Sequence, residues 1–124
     1  MRKLRLGSLL LCACSLVLSG CDEKRSSVAG PTPPPSPVTV SIVPGGRTLT
    51  TTAFSPNPLN ITRGTTVTWI NNDTSTHDVV ANSGAFDTGN IAPGSQASFT
   101  FQSAGAFPYY CGRHPGMVAT VNVQ

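Results

Sequence analysis

From residue 38 to residue 124, apolar and polar residues alternate in short stretches, and no stretch shows the 3.6-residue apolar period of a helix. The clearest alternating stretches are residues 38–43, 65–71, 95–101, 105–110 and 118–123. Turn residues such as Pro44-Gly45 and Pro93-Gly94 separate them. This pattern predicts a single all-β domain over residues 38–124, a sandwich or barrel. We expect its core to contain Trp69, Phe54, Phe99, Phe101 and Phe107.

The first residues have the layout of an export signal. Basic residues occupy positions 2, 3 and 5, and an apolar run follows over residues 6–18. This run is shorter than the about 20 residues of a transmembrane helix but fits a secretory signal. The ending Leu18-Ser19-Gly20-Cys21 resembles the lipobox of bacterial lipoproteins. We expect a signal peptide over residues 1–20 and a lipid on Cys21; the alternative is an ordinary signal peptide that leaves Cys21 as a spare thiol.

Residues 21–37 have the composition of a tether. They combine charged residues with five prolines and lack the apolar residues of a core. Extended like polyproline, such a segment spans up to roughly 50 Å. Together with the lipid, it predicts a domain outside the cytoplasm, in the periplasm or at the cell surface, anchored to a bacterial membrane.

Charge and cysteine content narrow the possible functions. The formal net charge is +3, but three of the eight basic residues lie in the predicted signal, and the other five balance the five acidic residues. A basic surface for nucleic acid is therefore not expected. Cys12 and Cys14 also lie in the signal, so a lipidated Cys21 leaves Cys111 without a disulfide partner. We expect Cys111 to be a free thiol.

Three side chains that bind soft metals follow one another near the end of the chain. Cys111, His114 and Met117 lie at i, i+3 and i+6, and the only other histidine is His77, in a segment that we interpret as a strand over residues 77–81. Structural zinc sites do not use thioethers, whereas two histidines and a cysteine with a weak methionine are typical of electron-transfer copper. We predict that these four residues hold one copper ion that alternates between Cu(I) and Cu(II).

Each of these residues also has an ordinary structural interpretation. Cys111 would be a small buried apolar residue, Met117 would fill a gap in the core, and His114 would lie on the surface. Any one of these interpretations is common for a single residue. The combination at this spacing favours the metal site.

The segment C-G-R-H-P-G-M at residues 111–117, with His77 upstream, resembles the ligand loop of the plastocyanin/azurin (cupredoxin) family of blue copper proteins, in the short form of amicyanin. Residues 54–61, 64–73 and 86–94 extend the resemblance over nearly all of the chain after the prolines. It implies a Greek-key β-sandwich of about eight strands. It also implies a monomer that exchanges electrons with redox proteins such as a cytochrome or an oxidase.

The resemblance gives further residues expected roles. The edge of His114 would be the electron port, and Tyr110 a second exit, although Tyr110 fits an outward-facing strand aromatic equally well. Asp78 stands where the plastocyanin pattern has Asn, and we expect its side chain to tie the His77 segment to the Cys111 loop and, if ionised, to lower the copper potential. Pro115 restricts His114 and removes a backbone N–H from the neighbourhood of the thiolate.

Other classes of function fit the sequence less well. Copper enzymes with this type of site need a second copper centre with further histidines, and the chain has only two. We therefore do not expect an enzyme. A copper carrier or storage protein would use the same ligands without redox cycling, and a metal-free sandwich for adhesion is the remaining alternative.

Overall fold

The structure, a computed structural model, describes residues 30–124. The predicted signal peptide, Cys21 and the first part of the tether lie outside these residues. Among residues 30–124, no helix has the length and apolar character needed to cross a bilayer. Residues 30–37 have no regular secondary structure and lead into the first strand.

The described residues form a two-sheet sandwich. Its strands are β1 Val38–Ile42, β2 Phe54–Ser55, β3 Leu59–Ile61, β4 Thr66–Asn71, β5 Val80–Ala81, β6 Gln96–Thr100, β7 Gly105–Tyr110 and β8 Val118–Val123. One sheet has the strand order β2-β1-β4-β6 and the other β3-β8-β7-β5, with β1 parallel to β4, β3 parallel to β8, and the other neighbours antiparallel. A short 3₁₀ helix occupies Gly46–Thr48. The predicted all-β sandwich of about eight strands is confirmed.

The alternation in the sequence decides which side chains face the core. In β4, Val67 and Trp69 are buried, and the residues on either side of each are partly exposed. Trp69 packs edge-on against Tyr109, with their ring centres 5.7 Å apart, and stacks on Phe86 at 5.5 Å. Of the predicted core, Trp69, Phe54 and Phe101 are buried. Phe99 and Phe107 are only partly buried, because they pack at the margin of the core.

The prediction of a strand over residues 77–81 is wrong for its first part. Regular pairing is confined to Val80–Ala81, and His77 forms an isolated bridge with Ile91. The ladder is interrupted at Val79, whose N–H donates to the hydroxyl of Thr88 rather than to a backbone carbonyl. The segment stays bonded to residues 86–91, at His77 and again at Ala81, but its pairing is too irregular for a continuous strand.

The two ends of the sandwich differ in what they carry. β1 starts beside Val67 and ends beside Asn71. Before β1, Pro35 lies next to the Gly64 turn, at what we call the entry end. After β1, the chain turns at Gly46, where it reaches Met117. The loops of residues 72–78 and 111–117 lie here, at what we call the site end.

Candidate metal centre

Three donor atoms converge at the site end. The Sγ atom of Cys111 lies 3.6 Å from Nδ1 of His77 and 3.6 Å from Nδ1 of His114. All three donor atoms lie within 4.8 Å of one another, and the two imidazole centres are 4.9 Å apart. The structure thus brings together residues that are 34 positions apart in the chain.

The backbone of the 111–117 loop closes on itself. The N–H of His114 donates to the carbonyl of Cys111 at 3.1 Å, and the N–H of Met117 donates to the carbonyl of His114 at 2.9 Å. The N–H of Cys111 then donates to the carbonyl of Met117 at 3.0 Å. Each of the three predicted ligands in the loop is therefore fixed relative to the other two by a main-chain hydrogen bond.

Met117 is fully buried, with its methyl group against the turn that follows β1. A Cβ atom on Gly46 would lie only 3.1 Å from Cε of Met117. A larger residue at position 46 would require the methyl group to shift by a few tenths of an ångström. The turn therefore limits how far the thioether can move away from the other donors.

A carboxylate bonds the imidazole of His77 at the ring nitrogen that faces away from Cys111. Its Nε2 lies 2.8 Å from Oδ2 of Asp73, and both side chains are buried. An ionised carboxylate only accepts hydrogen bonds, so the neutral ring carries its proton on Nε2 and leaves the Nδ1 lone pair facing Cys111. The hydrogen bond from His77, followed by that from the N–H of Gly45, lowers the pKa of Asp73 to about 2. Asp73 was not among the residues predicted from the sequence, where its only signal is a carboxylate four residues before a candidate ligand.

Asp78 contacts the thiol directly. Its Oδ1 accepts from Sγ of Cys111 and from the N–H of Arg113, both at 3.2 Å, so it joins the His77 segment to the 111–117 loop. A Cβ atom on Gly112 would lie 2.8 Å from Oδ2 of Asp78, so this contact requires glycine at position 112.

Burial raises the pKa of the Cys111 thiol, and the hydrogen bond to the Asp78 side chain adds to this. The metal-free protein therefore holds a protonated thiol at neutral pH. Metal binding must displace this proton, because the thiolate is the ligand.

The site reaches the surface at one ligand. His77, Cys111 and Met117 are fully buried, whereas His114 is partly exposed. Pro115 is exposed beside it, as are the loop residues Gly112, Arg113 and Gly116. Tyr110 is partly buried at the end of β7, paired with Val80 and Val118.

The donor set fits a metal with a preference for soft ligands. A small metal ion lies about 2.0–2.1 Å from nitrogen and about 2.3 Å from sulfur, which separates these donors by about 3.6–3.8 Å at tetrahedral to trigonal angles. The two observed sulfur–nitrogen distances of 3.6 Å agree with this separation. Two imidazoles and a thiolate beside a buried thioether match the ligands of electron-transfer copper.

Similarity to known families identifies the metal of this site. Residues 43–124 match the pattern of the copper binding proteins of the plastocyanin/azurin family. The chain belongs to this family. Copper as the cofactor of this cupredoxin is therefore confirmed, and the family places it among small copper-binding electron-transfer proteins.

Individual cupredoxins show how far the similarity extends. Plastocyanin of Scenedesmus fuscus is 36% identical over 84 aligned positions, which cover 57% of this chain and 86% of that protein. A purple cupredoxin from Nitrosopumilus maritimus superposes with a TM-score of 0.65 at 31% identity, covering 70% of this chain and 99% of that one. A reduced Cu(I) form of an amicyanin variant gives a TM-score of 0.59 at 28% identity, covering 70% of this chain and 81% of that one.

Proposed function

We propose that this cupredoxin is a membrane-tethered carrier that shuttles single electrons between redox proteins outside the cytoplasm. The observation that supports this most directly is the arrangement of the donor atoms. Three lie within 4.8 Å of one another inside a rigid sandwich, and of the four assigned ligands only His114 is partly exposed. Such a site can exchange electrons with a docked protein while it excludes small reactants.

We assign the metal to four residues. Nδ1 of His77, Sγ of Cys111 and Nδ1 of His114 would be the strong ligands, and the thioether of Met117 the weak one. When bound, copper supplies one-electron exchange between Cu(I) and Cu(II). The chain has no histidine outside this site, so the second copper centre of a copper enzyme has no histidine ligands available.

The protein contributes a geometry that does not depend on the oxidation state. The ring of main-chain hydrogen bonds fixes Cys111, His114 and Met117 relative to one another. His77 is fixed by Asp73 and by its two backbone bonds with Ile91, at 2.7 and 3.1 Å. Because these contacts use the main chain and Nε2 of His77, none of them involves an atom that would bind the metal, and the ligands need to move little when the charge changes.

The electron port lies at His114. Its ring is partly exposed between Pro115 and Arg113, and the small side chains around it allow a partner to approach closely. Nε of Arg113 donates a hydrogen bond to Oδ1 of Asn90 at 3.0 Å, which fixes the direction of the guanidinium. Tyr110, next to Cys111 in the chain, would be a second route. The protein would act as a monomer, and its partners would be redox proteins such as a cytochrome or an oxidase.

Optical and electrochemical measurements on the copper-loaded protein test this function. We expect an intense visible absorption from the bond between the Cys111 thiolate and Cu(II), and a reversible one-electron wave. A colourless protein that holds Cu(I) and shows no reversible wave would instead indicate a copper carrier or storage protein. Failure to bind copper would leave the metal-free alternative.

The membrane anchor is a separate part of the proposal. It is supported by Leu18-Ser19-Gly20-Cys21 and by the proline-rich segment after it. Two or more acyl chains on Cys21 would hold the protein durably, at about 0.8 kcal/mol for each buried CH₂. We expect the protein in the membrane fraction, with an N-terminal peptide that begins at an acylated Cys21. Cys21→Ser should abolish the acylation, whereas Cys12→Ser, in the predicted signal, should not.

A further inference from the structure

We propose that Asp73 is a positioning residue for two copper ligands at once: one carboxylate oxygen orients the ring of His77, and the other fixes the turn behind Met117. This inference deepens the account of the copper site and rests on the ligands assigned above. It does not depend on which proteins donate or accept the electron.

The first oxygen acts on His77. Oδ2 of Asp73 lies 2.8 Å from Nε2, on the side of the ring opposite to Cys111. The pair is buried, so water does not compete for either atom. The bond selects the Nε2–H form of the ring and directs the Nδ1 lone pair into the site. Ligands held in this way by a carboxylate are also better electron donors to the metal.

The second oxygen acts on the turn after β1. Oδ1 accepts from the N–H of Gly45 at 2.9 Å. Gly45 has a φ of 74°, a left-handed conformation that glycine adopts without strain. At the next residue, Gly46, an added Cβ atom would lie only 3.1 Å from the methyl group of Met117. Asp73 thus holds the backbone that limits the position of the thioether.

Asp73 is itself held in place from two sides. Its N–H donates to Oδ1 of Asn71 at 2.9 Å, and its Oδ1 also accepts from the N–H of Thr74 at 2.8 Å. Asn71 is fully buried and directs its amide to the carbonyls of Ser75 and Ile91, at 2.7 and 2.8 Å. The carboxylate therefore has a fixed position from which it can orient other groups.

A role limited to folding predicts a different result from a role at the copper. If Asp73 only stabilised its loop, its loss would lower the affinity for Cu(I) and Cu(II) equally. A buried carboxylate behind a ligand favours the ion of higher charge, so its loss should weaken Cu(II) binding more than Cu(I) binding. The difference appears directly in the midpoint potential.

The test compares Asp73→Asn with Asp87→Asn. Both changes remove one carboxylate, but Asp87 is exposed and bonds the N–H of Gly89 rather than a ligand. We expect Asp73→Asn to lower the Cu(II) affinity at least about tenfold, the range seen for groups that orient metal ligands. If Cu(I) binding is unaffected, each tenfold loss raises the midpoint by about 59 mV. Asp87→Asn should leave both quantities unchanged.

Two outcomes of this comparison would overturn the proposal. One is an unchanged Cu(II) affinity and midpoint in folded Asp73→Asn. The other is an equal loss of affinity for both oxidation states, which would reduce Asp73 to a structural role.

A measurement on the unaltered protein covers the case in which Asp73→Asn does not fold. Nitrogen-15 NMR of the copper-free protein at mildly alkaline pH should show His77 protonated on Nε2 alone. A ring protonated on Nδ1, or one that exchanges between the two forms, would refute the orienting role. Because this measurement needs neither copper nor electron exchange, it separates failure of this inference from failure of the proposed function.

Discussion

Asp78 brings a carboxylate oxygen to 3.2 Å from the sulfur of Cys111, at a position where the family resemblance led us to expect Asn. When a metal replaces the thiol proton, the Asp78 side chain lies beside the thiolate and, if ionised, adds negative charge to the site. We predict that Asp78→Asn raises the midpoint potential. A tenfold change in the preference for Cu(I) would correspond to about 59 mV. Voltammetry of the two copper-loaded proteins measures this.

Asp87→Asn is again the control, because it removes an exposed carboxylate that contacts no ligand. An unchanged or lower potential in Asp78→Asn would show that its charge does not act on the copper.

Gly112 makes the approach of Asp78 possible. We predict that Gly112→Ala displaces the carboxylate from Cys111, because the new Cβ atom would lie 2.8 Å from Oδ2. The potential should then rise in the same direction as in Asp78→Asn. Gly116→Ala is a matched control in the same loop, since a Cβ atom there has no neighbour within 4 Å.

The effects of Gly112→Ala and Asp78→Asn should not add, since both act on one carboxylate. Full additivity in the double variant would contradict this explanation.

At the level of single residues, the sequence could predict the metal ligands but not the residues that hold these ligands in position. Cys111, His114 and Met117 stand out because their chemistry is unusual and their spacing is short. Asp73 does not stand out, because its role depends on the fold of an irregular loop that brings one oxygen to His77 and the other to Gly45. No periodic pattern records such a loop.

Strand β7 contributes a tyrosine with an unpaired hydroxyl to the core. Tyr109 is 1% exposed, and neither its hydroxyl nor the indole N–H of Trp69 has a hydrogen-bond partner among the described residues. Burial raises the pKa of Tyr109 from 10.0 to about 12; the indole N–H of Trp69, near the hydroxyl but outside hydrogen-bond geometry, offsets this only in part. The folded protein therefore keeps this proton at a pH where the unfolded chain loses it.

This shift predicts a loss of stability in alkali. Below pH 10 the tyrosine is neutral in both states and contributes no pH dependence; between about pH 10 and 12 the unfolded state binds fewer protons, so stability falls as pH rises. The slope approaches about 1.4 kcal/mol per pH unit. We predict that Tyr109→Phe removes this fall and leaves stability at neutral pH equal or higher by up to about 1 kcal/mol.

Denaturant unfolding across the pH range measures both effects. Tyr110→Phe is the control and should retain the alkaline fall. A large loss of stability in Tyr109→Phe at neutral pH would mean that the hydroxyl is bonded after all.

Among the elements, regular strands were predictable and the irregular ones were not. Strands β7 and β8 have the predicted bounds, residues 105–110 and 118–123; alternate residues are buried in β8, and in β7 Phe107 and Tyr109 face the core. The segment of His77 was misassigned because one of its ladder bonds goes to the side chain of Thr88, which interrupts the regular pairing. Alternation in the sequence does not distinguish these two cases.

The domain as a whole has little charge with which to steer a partner. Its described basic residues, Arg47, Arg63 and Arg113, are equal in number to Asp73, Asp78 and Asp87. We predict that electron exchange with a redox protein changes less than about tenfold between low and physiological ionic strength, below the range of strongly steered association. Stopped-flow kinetics at several salt concentrations measure this.

Arg113→Gln, beside His114, should change the salt dependence, whereas Arg63→Gln, at the entry end, should not. A steep salt dependence in the unaltered protein would indicate a charged docking surface that these residues do not form.

The separation of the entry end from the site end affects which membrane-bound partners an anchored domain could reach. With a lipid on Cys21, the connection to the bilayer would join the domain at the entry end, whereas His114 lies at the site end. A partner whose redox centre lies far above the bilayer could be reached without reorientation of the domain. A partner at the level of the lipid headgroups could be reached only if the domain turns over, so shortening residues 22–37 should prevent electron transfer to the second partner and leave transfer to the first unchanged.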